Sequence, residues 1–102
     1  MTQYVATRDA KRAPMHPGEL LRDDILPALG RTKTDIAELL SISRQTLHDI
    51  LEEKQPVTPV MALRLGKLCG NGAEVWLALQ SRFDLWQARR KVNVDKIPTL
   101  QS

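Results

Sequence analysis

Arg44, Gln45, His48 and Asp49 fall within six consecutive positions of the stretch SRQTLHDILE, Ser43 to Glu52. Their chemistry suits recognition of a nucleic-acid base. The planar fork of an arginine matches the O6/N7 edge of guanine, and a glutamine amide both donates to and accepts from adenine. Asp49 has two uses: accepting from cytosine N4, or orienting Gln45 one helical turn earlier. Ser43 and Thr46 add hydroxyls at what reads as a helix N-terminus, where a phosphate oxygen is favoured. Arg31, Lys33, Thr34 and Lys54 flank the stretch and are candidates for contacts to a DNA backbone.

Other chemistries are poorly served. Ser43 with His48 has the types for nucleophilic attack, but no oxyanion donor accompanies them, so no catalytic residue is assigned and the chain is not expected to be an enzyme. His16 and His48 are the only histidines, and the single cysteine, Cys69, is not spaced with either as a metal set would be. No metal or other cofactor is expected. Cys69 ends the apolar series MALRLGKLC and reads as a small core residue.

The elements that must hold these residues are helices. At about 100° per residue, Leu47, Ile50 and Leu51 share one face, and Gln45 centres the opposite one with His48, Asp49 and Glu52 around it and Arg44 and Thr46 beside it. Ser43 caps this helix, and Ile42 can close onto Leu47 as a staple. The preceding stretch TKTDIAELL starts at Thr32 as N-cap with Asp35 three residues on. It places Ile36, Leu39 and Leu40 on one face, and its Ala37 is small enough for another helix to approach. Ser41 and Ile42 make a two-residue turn between the two. The pair is a helix-turn-helix, whose second helix enters the major groove.

Three further helices complete an all-α pattern. The first starts at HPGELLRDDIL, with Pro17 at the first position and Leu20, Leu21, Ile25 and Leu26 as its apolar stripe, before Pro27 limits it and Gly30 allows a turn. The fourth starts at Thr58 and Pro59 and turns Met61, Ala62, Leu65, Leu68 and Cys69 inward until Gly70. The fifth is capped by Asn71 and Glu74 and runs to about Arg90. On it Trp76, Leu79, Phe83 and Trp86 recur at a 3-4-3 spacing, while Leu77, Leu85 and Ala88 make a second stripe. One small core cannot easily cover both, so the first stripe is assigned to a dimer surface. The expected organisation is a flexible basic tail over 1–14, a helix-turn-helix domain over 15–91 whose helix at 72–90 dimerises, and a second tail over 92–102.

With 102 residues, the chain can bury one modest core and has little area for a deep substrate cleft. Its charge of +3 suggests an acidic partner, but from Met15 to Trp86 there are eight Lys and Arg against ten Asp and Glu, a balance of −2. The surplus lies in Arg8, Lys11 and Arg12 and in Arg89, Arg90, Lys91 and Lys96, so a DNA-binding surface on the body must be a local patch. No apolar run approaches the roughly 18 residues of a membrane span, and the start lacks the apolar region of a secretory signal. The expected compartment is the cytoplasm, with no membrane partner.

Four segments taken in order, HPGELL at 16–21, LSISRQTLHDIL at 40–51, VTPVMALRL at 57–65 and VWLALQSRFDLW at 75–86, resemble the HigA-type antitoxins, a branch of the Xre-like helix-turn-helix regulators encoded beside toxin genes in bacteria. The resemblance implies a five-helix, lambda-repressor-like domain that forms a homodimer, binds a palindromic double-stranded operator in its own promoter, and neutralises a HigB-type ribonuclease toxin. It places the DNA-reading positions on Ser43, Arg44, Gln45, Thr46, His48 and Asp49. The chain departs from the pattern at Ser41, where glycine is usual, and at Glu52 and Glu53, which replace Asn-Gly and are expected to repel phosphate. Two other functions fit the same residues: a stand-alone transcriptional regulator without a toxin, and a protein-interaction adaptor that has lost DNA affinity.

Overall fold

Thr32, Ser43 and Thr58 each turn a side-chain oxygen onto the amide three residues ahead, at 3.1, 3.0 and 3.3 Å, and a helix starts at each of them. The computed structural model describes residues 13–100 and places five helices among them, with no strand. Helix α1 is continuous through Pro17–Leu20, a π-helical turn at Leu21–Ile25, and Leu26–Leu29. Then come α2 (Lys33–Leu40), α3 (Arg44–Leu51), α4 (Pro59–Cys69) and α5 (Ala73–Lys91).

Two boundaries differ from the sequence reading. Pro27 does not end α1, which continues to Leu29 and stops at Gly30 with φ +66°. The reason is the π turn: the Leu26 N–H bonds Leu21 O, five residues back, and this wider turn accommodates the proline ring, which lacks an N–H and would press on the carbonyl of an ordinary turn. Asn71 does not cap α5. Gly72 takes the cap position at φ +83°, and Asn71 Oδ1 instead accepts from the Trp76 indole N–H at 3.0 Å.

The helices bury one cluster, with Leu21, Ile36, Leu40, Leu47, Ile50, Leu51, Val57, Leu65 and Trp76 all at 2 % exposure or less. Helix α1 rests on α3, α2 on α3 and α4, and α4 on α5, which also returns to α1. Ala37 is buried where close approach was expected, but Leu39 is 54 % exposed and does not join the inward face of α2. Trp76 is corrected outright. It is fully buried inside the chain, so its ring offers no surface to a second copy.

Two close approaches set the frame. A methyl group on Gly18 would overlap the Ile50 carbonyl, so the N-terminal turn of α1 lies directly against the backbone of α3. Gly66 likewise has no room for a side chain against Gly72. The loop between α3 and α4 is fastened by Gln80, 5 % exposed, whose Oε1 accepts from the Val57 N–H at 2.8 Å while its amide nitrogen donates to Asp84 Oδ1 at 2.9 Å. Both ends of the Gln80 amide are satisfied, which a buried amide requires.

Helices α2 and α3, joined by Ser41 and Ile42, form the helix-turn-helix. Ser41 has φ +59° and Glu53, just past α3, has φ +61°. A residue with a Cβ loses roughly 1 to 2 kcal/mol in this left-handed region, so both turns need compensation from their surroundings. The segment expected over 1–14 falls almost wholly outside the described residues. After α5, residues 92–100 run exposed, with a turn closed by the Ile97 N–H on Val94 O at 2.9 Å.

Candidate nucleic-acid interface

Because Leu47, Ile50 and Leu51 anchor α3 in the core, its other face is left to solvent: Arg44, Gln45 and His48 are exposed and Thr46 and Asp49 half-buried. Lys33, at the first turn of α2, joins Arg44, Gln45, Leu47 and His48 around an open cleft of about 470 Å³. Arg31 and Thr34 are exposed beside Lys33, and Lys54 is exposed beyond the other end of α3. The fold therefore gathers around the start of α2 and the outward face of α3 residues that are spread over 24 positions of sequence, 31 to 54.

Local hydrogen bonds preset several of them. Gln45 Nε2 donates to Asp49 Oδ1 at 2.9 Å, so of the two uses open to Asp49 the structure displays the orienting one. This leaves the Gln45 carbonyl oxygen and its second N–H directed outward, one acceptor and one donor. Ser43 Oγ accepts from the Thr46 N–H at 3.0 Å and donates to Thr46 Oγ1 at 2.9 Å. The Ser43 hydrogen is thereby used, and the Thr46 hydroxyl keeps its own hydrogen for an incoming oxygen.

Among the described residues no carboxylate lies within ion-pair distance of Arg31, Lys33, Arg44 or Lys54. Four cations without an ion-pair partner among the described residues therefore lie around one helix pair, with Asp49 and Glu52 as the acidic groups on and beside α3. Glu53, expected to oppose phosphate, is turned away and pairs with Arg22 Nη1 at 3.4 Å. Glu52 stays exposed.

The second expected surface is rearranged. With Trp76 in the core, Leu79, Phe83 and Trp86 remain, each half-buried. Phe83 meets the His16 ring edge-on at 4.8 Å and lies 6.5 Å from Trp86, over which the Arg90 guanidinium stacks at 4.6 Å. From Gln87 onward every described residue is exposed, with Val92, Val94, Ile97 and Leu100 between 58 and 90 %.

Sequence reasoning passed over His16, Arg22, Arg64 and Gln80. His16 had a signal, since it stands immediately before the helix-starting Pro17, where a side-chain acceptor is usual. Its Nδ1 accepts from the Gly18 N–H at 2.9 Å, and it is 2 % exposed. Burial holds its pKa below the ordinary 6.5, against the opposing pull of the Glu53, Asp84 and Glu19 carboxylates and with a small further push from Arg22. The unfolded chain therefore binds this proton more readily, so His16 contributes stability above its ordinary value that is lost as pH falls through the depressed one. The melting midpoint is expected to fall as pH drops below the ordinary histidine value of 6.5, and His16→Asn, which caps without titrating, is expected to flatten that fall. Equal pH dependence in the two proteins would show that the loss has another source.

No family model matches the chain. It is 33 % identical over 84 residues to antitoxin HigA-1 of Vibrio cholerae, covering 82 % of this chain and 79 % of that protein. It is 36 % identical over 75 residues to a helix-turn-helix-type transcriptional regulator of Haemophilus influenzae, covering 74 % of this chain and 70 % of that one. A solved structure of the Pseudomonas aeruginosa antitoxin HigA with the higBA promoter superposes with a TM-score of 0.76 at 32 % identity, over 85 % of this chain and 99 % of the other.

Proposed function

Since the chain belongs to the HigA antitoxins of the helix-turn-helix regulators, we propose that it binds operator DNA in its own promoter as a dimer, represses its own transcription and neutralises a HigB-type ribonuclease toxin. The observation that carries the DNA-binding part is the convergence of Lys33, Arg44, Gln45 and His48 on the solvent face of α3, with no carboxylate paired to either cation among the described residues. The work is binding without catalysis. Arg44 and Gln45, with Gln45 held by Asp49, read bases with His48 beside them. Ser43, Thr46, Arg31, Lys33, Thr34 and Lys54 set register on phosphates, carrying little sequence information themselves.

A labelled duplex from upstream of the gene tests the reading in a mobility-shift titration. Selective retardation over a random duplex is expected, and equal affinity for both would remove the operator function. Lys54→Ala is expected to weaken operator and random DNA alike and to flatten the salt dependence by about one counterion. An unchanged slope would take Lys54 off the phosphate backbone.

For the dimer, Leu79 and Trp86, half-buried on one face of α5, support a surface there. Phe83 is a poorer probe because it also packs on the buried His16. Sedimentation is expected to give a dimer at micromolar concentration and Trp86→Glu a monomer, whereas a monomeric unaltered protein would rule the arrangement out. Growth rescue on co-expression with the neighbouring gene separates the antitoxin from a regulator without a toxin, a reading the similarity to the H. influenzae regulator keeps in view.

A further inference from the structure

Helices α2 and α3 end in the same way. At α2 the Ser41 N–H bonds Glu38 O and the Ile42 N–H bonds Ala37 O, both at 3.0 Å. At α3 the Glu53 N–H bonds Ile50 O at 3.0 Å and the Lys54 N–H bonds Asp49 O at 2.8 Å. Each motif needs a left-handed residue, and here those are Ser41 and Glu53, whereas α1 and α4 end on Gly30 and Gly70. The motif also leaves the last carbonyls of each helix without an intrahelical partner.

An arginine from outside the pair takes those carbonyls in both cases. Arg64, on α4, donates Nη1 to Leu40 O at 2.8 Å and to Ser41 O at 2.9 Å. Arg22, on α1, donates Nη1 to Leu51 O at 2.9 Å and reaches Glu53 Oε2 at 3.4 Å. Arg22 is itself braced by Asp23, Nε to Oδ1 at 2.9 Å and Nη2 to Oδ2 at 3.3 Å. A cation at a helix C-terminus meets the negative end of the helix dipole, and a guanidinium holds its donors in one rigid plane. Of the four helices that end through a left-handed residue, the two whose left-handed residue carries a side chain are the two whose ends receive an arginine.

We propose that Arg64 and Arg22 are positioning residues for DNA reading: by gripping the C-termini of α2 and α3 from α4 and α1, they fix where Arg44 and Gln45 stand relative to the rest of the protein. The proposal rests on the operator-binding function above. A recognition constellation tolerates displacements of only about 0.5 Å, so a helix pair released at its ends loses sequence preference before it loses charge attraction to DNA.

The test compares the unaltered chain with Arg64→Leu, Arg64→Lys and Arg22→Leu, well below each melting midpoint, on upstream and random duplexes over a range of salt. Arg64→Leu and Arg22→Leu are expected to lower operator affinity at least ten-fold while random-duplex affinity changes less than about two-fold and its salt slope is kept. Arg64→Lys, with one compact ammonium, is expected to recover part of the loss. A role confined to stability would lower the melting midpoint and leave the operator-to-random ratio intact, which would overturn the proposal. So would a parallel loss on both duplexes with the slope reduced by about one, since that marks a phosphate contact. If the unaltered chain does not select its upstream duplex, the operator reading fails by itself, and residual dipolar couplings then read the placement directly. An unchanged orientation of the α2–α3 pair relative to α1 and α4 in the two leucine variants would overturn the positioning role, and a changed one would uphold it.

Discussion

Arg44→Ala combined with Gln45→Ala is expected to abolish the preference for operator over random DNA. Each bidentate base contact contributes about 1 to 3 kcal/mol of discrimination, so losing both removes about 2 kcal/mol or more. Both side chains are exposed on α3, opposite the Leu47, Ile50 and Leu51 face that holds the helix, so their removal opens no cavity. Folding stability is expected to stay within about 0.5 kcal/mol, the usual range for surface changes. Random-duplex affinity falls only by what one lost cation contributes, a shallower salt slope of about one counterion. Asp49 loses the Gln45 bond of 2.9 Å but is half-exposed and gains water in its place. Competition binding against both duplexes and a thermal melt measure the two halves of the expectation. An undiminished operator-to-random ratio in a normally folded double mutant would mean that α3 points at something other than bases.

Trp76→Ala is expected to cost about 3 to 5 kcal/mol of folding free energy, the range for truncating a large buried aromatic. The indole is fully enclosed, and its N–H is bonded to Asn71 at 3.0 Å in the turn between α4 and α5. Truncation leaves a cavity in the cluster shared by those helices and releases the Asn71 side chain. Urea denaturation at two protein concentrations distinguishes this from a role between subunits. Loss through the core lowers the midpoint at both concentrations, whereas an interface role would leave monomer unfolding unchanged and alter only its concentration dependence.

Trp76 also illustrates where the sequence stops being informative. Trp76, Leu79, Phe83 and Trp86 share one stripe of α5, and periodicity treats them alike. What separates them is depth: Trp76 is fully buried while Leu79, Phe83 and Trp86, further along α5, are half-buried, so the stripe begins in the core and ends half in solvent. Leu39 errs in the other direction. It follows the apolar pattern of α2 but lines only an open groove beside Leu63 and Leu68 of α4 and is left 54 % exposed. A hydrophobic pattern states that a side chain can be buried, while the path of the other helices decides whether it is.

The sequence by itself determined the all-α class, the starts of α2, α3 and α4 at Thr32, Ser43 and Thr58, and the outward face of α3. These depend on interactions within a few residues: a cap oxygen three positions from its amide, and a helical period that separates Gln45 from Leu47 and Ile50. Only the tertiary structure decided how the helix pair is held. Arg64 meets Leu40 across 24 positions and Arg22 meets Leu51 across 29, and Gly18 leaves room for the Ile50 carbonyl 32 positions away. Nothing local distinguishes a clamping arginine from a solvated one, because the groups that Arg64 and Arg22 grip at the helix ends are backbone carbonyls, which every residue has. Which carbonyls are left without partners, and which arginine can reach them, is set when the five helices pack.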